Sequence, residues 1–171
     1  MEIRLLHADD AAGWLRLRLE ALQRDPEAFS ASLEEYQSLS LEEVKRRLWS
    51  SADAFVVGAL DQSELVGMAG FYREQNPKTR HKGRVWGVYV SASSRGQGIG
   101  RKIMHNLLER AATIAEIDQV LLSVTSTQHA ALALYQSLGF EAFGTEPRAL
   151  CVKGRFIDEH YMTLRLIRTA A

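Results

Sequence analysis

At 171 residues, 46% of them hydrophobic and 25% charged, the chain has the size and make-up of one globular domain, 1–171, around a single core. No apolar run approaches the ~20 residues of a membrane-spanning helix, the opening MEIRLLHADD turns acidic too soon for a signal peptide, and a lone cysteine, Cys151, excludes an internal disulfide framework and any multi-cysteine metal site. The net charge of zero hides a net of −6 over residues 1–64 and of +7 over residues 73–102.

Residues 2–6 (EIRLL) read as a first strand. Residues 9–26 (DDAAGWLRLRLEALQRDP) read as a helix, with Asp9 or Asp10 as N-cap, Trp14, Leu15, Leu19 and Leu22 at helical spacing, and Pro26 as its stop. The stretch EAFSASLEEYQS that follows has no clear period and reads as loop or irregular helix. SLSLEEVKRRLW is a second helix, opened by a capping box from Ser40 to Glu43. The period then changes to two: AFVVGAL and LVGMAGFYR, joined by a polar turn at 61–64, form an antiparallel hairpin, and RVWGVYVS (84–91) adds a third strand. A glycine-rich loop leads into a helix whose apolar face is Ile99, Ile103, Leu107, Ala111 and Ile114. QVLLSVT (119–125), short and continuously apolar, fits a buried parallel strand. A short helix, QHAALALYQSLGF, has Gly139 as its C-cap, and a last hairpin turns at Lys153 and Gly154. The order is βααβββαβαββ, an α/β mixed sheet.

The loop SSRGQGIGRK (93–102) sets Gly96, Gly98 and Gly100 among Arg95, Arg101 and Lys102. A helix N-terminus leaves about four N–H groups unpaired and carries roughly half a positive charge, and glycines let an anion settle onto it. A phosphate ligand is the reading this favours over a tight turn with no ligand. The run lacks the G-x-x-x-x-G-K-[ST] of a P-loop. Its G-x-G-x-G spacing, with three strands and two helices before it, also disagrees with a dinucleotide-binding fold.

Arg95-Gly96-Gln97-Gly98-Ile99-Gly100 does follow the pattern Q/R-x-x-G-x-G/A, and WGVYV stands just before it. ALALYQSLGF, about 35 residues on, carries a tyrosine followed by Leu-Gly-Phe. In these two motifs and their order the chain resembles the GCN5-related N-acetyltransferases over almost its whole length. The resemblance implies a single domain with helices on both faces of a sheet that splays at the strand 84–91, and acetyl-CoA as co-substrate. It implies that the backbone of Val88, Tyr89 and Val90 pairs with the pantetheine arm, one of their N–H groups also stabilising the reacting oxyanion. The N–H groups of Gly96, Gln97, Gly98, Ile99, Gly100 and Arg101 would hold the pyrophosphate, with Arg95 adding charge. Tyr135 would give a proton or hydrogen bond to the departing thiolate, against the plainer reading of a core tyrosine. Gln128 stands where the family often has a cofactor-binding asparagine.

The attacking amine must lose a proton, and Glu34, Glu35, Glu74, His81, Asp158, Glu159 and His160 are candidate bases. Strand alternation puts Asp158 and His160 on one face and Glu159 on the other. By resemblance the acceptor site lies between the loop that holds Glu34, Glu35 and Tyr36 and the last hairpin, which holds His160. Those acids would suit a cationic amine; as solvated helix faces they would do nothing of the kind. The leading expectation is a cytoplasmic enzyme, compatible with a homodimer, that acetylates a small-molecule primary amine. A protein N-terminus or lysine as acceptor, or a non-catalytic acyl-CoA-binding module, remain as alternatives. Nucleic acid is not expected, because the chain is neutral and the basic stretch has few aromatics beyond Trp86 and Tyr89.

Overall fold

The computed structural model describes residues 1–48 and 50–166. β1 (Glu2–Leu5) leads through a 3-10 turn to α1 (Ala11–Arg24), then to the short α2 (Leu33–Gln37) and α3 (Leu41–Arg47). β2 (Ala54–Asp61), β3 (Glu64–Arg73) and β4 (Lys82–Val90) follow, then α4 (Ile99–Ala112), β5 (Gln119–Thr125), α5 (His129–Ser137), β6 (Glu141–Val152) and β7 (Arg155–Arg165). The strands form one open sheet in the order β1-β2-β3-β4-β5-β7-β6, antiparallel except for β4 beside β5. The expected α/β mixed sheet is the fold.

Both faces of the sheet are covered, which is why β2 reads as a continuous apolar run rather than an alternation. Val56 turns toward Trp14, Leu17, Val44 and Leu48 of α1 and α3. Phe55 and Val57 turn the other way, toward Ile103, Met104 and Leu107 of α4. The hairpin turns fall where the sequence puts them, at Gln62 and Ser63 and at Lys153 and Gly154.

Three local expectations are refined. Asp10 takes the N-cap position of α1, one of the two residues expected there, but its side chain makes no capping hydrogen bond to the helix. The Asp10 carboxylate instead accepts from the His7 N–H at 2.8 Å and pairs with Arg4 at 2.8 Å, holding the 3-10 turn Ala8–Asp10 against β1. The buried stripe of α1 is Trp14, Leu17, Arg18, Ala21 and Leu22, with Leu15 and Leu19 on its margin. The aperiodic stretch after Pro26 contains α2, opened by a Ser32–Glu35 capping box of the same S-x-x-E form as the one at Ser40. Trp49, placed at the end of the second helix from sequence, lies outside the described residues.

The feature that makes a site is in β4. Gly70 of β3 faces Trp86 and Met68 faces Tyr89, so Ala69 alone stands opposite two residues, Gly87 and Val88. Gly87 has φ of +62°, and a glycine in that left-handed conformation at the first position of a bulge bends and twists the strand. On its other side β4 pairs with β5 at Lys82, Gly83 and Arg84 and no further. β5 meanwhile stays paired with β7 over its full length. The two parallel strands therefore part after Arg84, leaving one edge of Val85 to Val90 without a strand partner.

Candidate active site

The parted strands open a cleft of about 420 Å³. Its walls come from Val85 to Val90 of β4, Leu122 to Val124 of β5, the amino-terminal turn of α4, and α5. The loop before α4 faces it. Gly96 and Gly98 have φ of +78° and +73°, and a Cβ on either would meet nothing within 4 Å, so the loop is bare backbone before open space. The first α-helical bond of α4 runs from the Lys102 N–H to the Gly98 carbonyl at 3.1 Å, and no side chain caps the helix. The N–H groups of Ile99, Gly100 and Arg101 precede that bond and are left for a ligand. Gly100 serves packing instead: a Cβ there would stand 3.3 Å from Leu134 of α5.

Along β4, the Ser91 N–H bonds to the Val66 carbonyl of β3. Backbone groups alternate along a strand, so those of Val90 turn into the gap, where its carbonyl accepts from Arg95 Nε at 3.0 Å. The Tyr89 side chain goes the other way, under α1. Its hydroxyl donates to Glu20 at 3.1 Å, and burial, with Glu20 beside it, pushes the phenol up to about 12. Tyr135 reaches the cleft from α5, 5% exposed, its ring 6.0 Å from that of Phe140. Burial pushes its phenol well above the ordinary value, so it keeps its proton. Among the described residues none hydrogen-bonds to that hydroxyl, a poor match to a tyrosine held by a buried core partner. Gln128, at the N-terminus of α5, lines the same cleft, and its side chain does not cap the helix.

The structure thus brings together Val88, Tyr89, Val90, Arg95, Gly96, Gly98, Ile99, Gly100, Arg101, Gln128 and Tyr135 around one cleft. Gln97 is exposed and outside its lining. Two of the expected cations are engaged in scaffold contacts. Arg95 pairs with Asp25 at 2.5 Å and lies over the Tyr89 ring, and Arg101 donates to Ser137 at 2.6 Å, tying α4 to α5. Within the basic stretch 73–84, Arg73 is buried and pairs with Asp53 and Glu116, Arg84 pairs with Glu74, and Lys78 and Arg80 are exposed.

The acceptor-side expectations fare differently. Glu34 and Glu35 are exposed on α2, and the Glu35 carboxylate is used in its capping box, accepting from the Ser32 N–H at 2.8 Å. His160 stands opposite Val124, which is buried on the α4 side of the sheet, and directly opposed residues share a face. It bonds to Thr145 and is not part of the cleft. Its neighbour Glu159 accepts from Ser123 at 2.8 Å, and Ser123 does line the cleft. Tyr36 turns inward from α2 toward Trp14 and Arg18.

Sequence reasoning passed over three contributors. Glu20 accepts from Ser91 Oγ at 2.9 Å, from Tyr89, and from the Ala92 N–H at 3.4 Å, pinning the start of the glycine loop to α1. Nothing in the local pattern marks Glu20. Gly87 does carry a signal, a lone glycine inside a strand pattern. Arg18 interrupts the apolar stripe of α1 and is 4% exposed.

A cleft with a bared helix N-terminus on one side and an unpaired strand edge on the other is suited to a ligand with a diphosphate head and an amide-bearing arm. The family profile described as "Acetyltransferase (GNAT) family" matches residues 15–140. The chain belongs to that family. Its members take the acetyl group from acetyl-CoA, and the bare loop, free N–H groups and open strand edge fit that co-substrate. Among curated relatives, an L-methionine sulfoximine/L-methionine sulfone acetyltransferase of Pseudomonas paraeruginosa is 30% identical over 127 residues, 71% of this chain and 73% of that protein. The N-alpha-acetyltransferase RimI of Mycobacterium tuberculosis is 36% identical over 99 residues, 57% of this chain and 59% of that one. Matches to the first curated relatives span between 27% and 73% of their own length. The fold is that of a GNAT acetyltransferase from Streptococcus pneumoniae, with a TM-score of 0.87 at 24% identity over 96% of this chain and 99% of the other. No helix among the described residues is long and apolar enough to cross a membrane.

Proposed function

We propose that the protein transfers the acetyl group of acetyl-CoA to the primary amine of a small molecule by direct attack within the β4–β5 cleft. The observation that carries the proposal is the placement of Tyr135, with its unpartnered hydroxyl, in the same cleft as the bared N-terminus of α4 and the unpaired edge of β4. Acetyl-CoA would supply an acetyl group already activated as a thioester. The N–H groups of Ile99, Gly100 and Arg101 bind the diphosphate, and the β4 edge at Val88 and Val90 positions the arm. An N–H of that edge polarises the carbonyl under attack. Tyr135 holds its proton where the sulfur departs.

The acceptor side supports a small substrate. Phe29 and Tyr89 narrow the cleft that Gly87 also lines, their rings 6.3 Å apart. Relatives named for acetylating amino acids or methionine sulfoximine agree with this reading, whereas the RimI relative favours a protein N-terminus. A panel of small amines and short peptides, assayed with acetyl-CoA by release of free thiol, separates the two. Turnover of small amines with peptides inert is expected; turnover of peptides alone overturns the small-molecule reading. Absence of thiol release from any amine, with acetyl-CoA still bound, would mark a binding module.

A further inference from the structure

We propose that Arg18 binds the carboxylate of the acceptor, so that the substrate is a free amino acid rather than a polyamine or a peptide N-terminus; this rests on the acetyl-transfer reading above. Arg18 is 4% exposed, and its guanidinium carbon lies over the ring of Phe29, at 4.8 Å, and over that of Tyr36, at 4.7 Å. Ring faces stabilise a cation. They leave the in-plane N–H donors unmet, and Nε and Nη1 have no hydrogen-bond partner among the described residues. Trp14, one helical turn earlier on the same face, has a buried indole N–H that is likewise unpartnered.

The contrast with Arg73 is instructive. Arg73 is 6% exposed, but it pairs with Asp53 and Glu116 and donates to the Arg80 carbonyl. A buried guanidinium without an anion is costly to keep, and burial lowers the pKa of Arg18. Its position says what the missing anion is. Nη1 lies 3.5 Å from where a Cβ on Gly87 would stand, and Gly87 lines the cleft, so the bare bulge puts the guanidinium beside the strand edge where the amine is acetylated. In an amino acid the carboxylate is separated from the amine by one carbon, which suits adjacent sites. A polyamine would bring a second cation to Arg18, and a peptide N-terminus an uncharged amide. The fork of a guanidinium matches a carboxylate in shape as well as charge.

The test compares acetylation of free L-amino acids with that of their carboxamides, in wild type and in Arg18→Met, with melting temperatures alongside. In wild type kcat/KM for the acids should exceed that for the amides by about 10- to 100-fold, the range of a charged hydrogen bond. In Arg18→Met the ratio should collapse toward one. Its melting temperature should not fall, because an unpaired buried charge has been replaced by an apolar side chain. A wild-type ratio near one, or a ratio that survives the substitution, overturns the proposal. Should Arg18→Met not fold, Arg18→Gln, which keeps polar atoms and removes the charge, is read by the same ratio, and an unchanged ratio overturns it equally. If no amine is acetylated the transfer reading fails separately, and Arg18 is then judged by tryptophan emission, since Trp14 and Trp86 flank its pocket. Free amino acids should change the emission of wild type and not of the variant; no change in wild type overturns the site.

Discussion

At the scale of single residues, Tyr135 has two properties that pull apart. Burial raises its pKa, which keeps the proton on the phenol but makes it reluctant to leave. A coenzyme thiol of ordinary pKa, near ~8.5, is already a fair leaving group. On the proposed reading Tyr135 would act as a hydrogen-bond donor to developing negative charge more than as a full acid. Tyr135→Phe should lower kcat by about 10-fold, the low end or below of the ~10²–10⁴ range of positioned acids, with KM nearly unchanged. Because the hydroxyl has no protein partner among the described residues, the melting temperature should hold. An unchanged kcat, with chemistry rate-limiting, removes Tyr135 from the reaction. The place of Tyr135 in the cleft was legible from sequence because its surroundings, L-Y-x-x-L-G-F, are local. Glu20 and Arg18 were not, since their partners Ser91, Tyr89 and Gly87 lie some seventy residues away and only the fold joins them.

At the scale of elements, the glycine loop and α4 were readable because backbone chemistry is written in composition. Gly98 precedes the first helical turn at φ +73°, where a side chain costs ~1–2 kcal/mol and a β-branched one more. Gly98→Val should reduce acetyl-CoA affinity at least about 10-fold through misdirected N–H groups, while the core, built on Ile99, Ile103 and Leu107 one face away, keeps the fold. Equal affinities by calorimetry would show that the loop does not hold the diphosphate. Helix faces were harder to read. α1 packs against the sheet and also against α2 and α3, so its buried stripe is wide, and apolar spacing alone placed it slightly off, on Leu15 and Leu19. α2 was read only as loop or irregular helix, although Ser32 and Glu35 repeat the capping signal at Ser40, because its five residues are too few to show a period. The facing of His160 could not be read from sequence: alternation says which residues share a face, and only the Val124 pairing says which face that is.

For the whole molecule, the site depends on α1 being fixed to the sheet at two places. At its start Asp10 bonds to Arg4 of β1, and toward its end Glu20 bonds to the residues that open the glycine loop. Both carboxyls lie below their ordinary values. For Asp10 the Arg4 hydrogen bond is the main cause, exceeding an opposing burial effect. For Glu20 burial pushes upward, and the bonds from Ser91, Tyr89 and the Ala92 N–H together outweigh it. A depressed carboxyl contributes stability that is fully present above its unfolded value, 3.8 for Asp10 and 4.5 for Glu20, and that is lost as the pH falls through the native value. Melting temperature should therefore be flat in these groups at neutral pH and decline below about pH 4.5. Glu20→Gln should destabilise the protein by about 1 kcal/mol at pH 7, with the gap to wild type closing in acid as wild-type Glu20 is itself protonated. The same substitution loosens the start of the glycine loop, so acetyl-CoA affinity at pH 7 should fall with it, whereas Asp10→Asn, at the far end of α1, should cost stability alone. If Glu20→Gln and Asp10→Asn leave acetyl-CoA affinity equally untouched, α1 is not what positions the loop, and the glycine turn and Arg95 must hold it unaided.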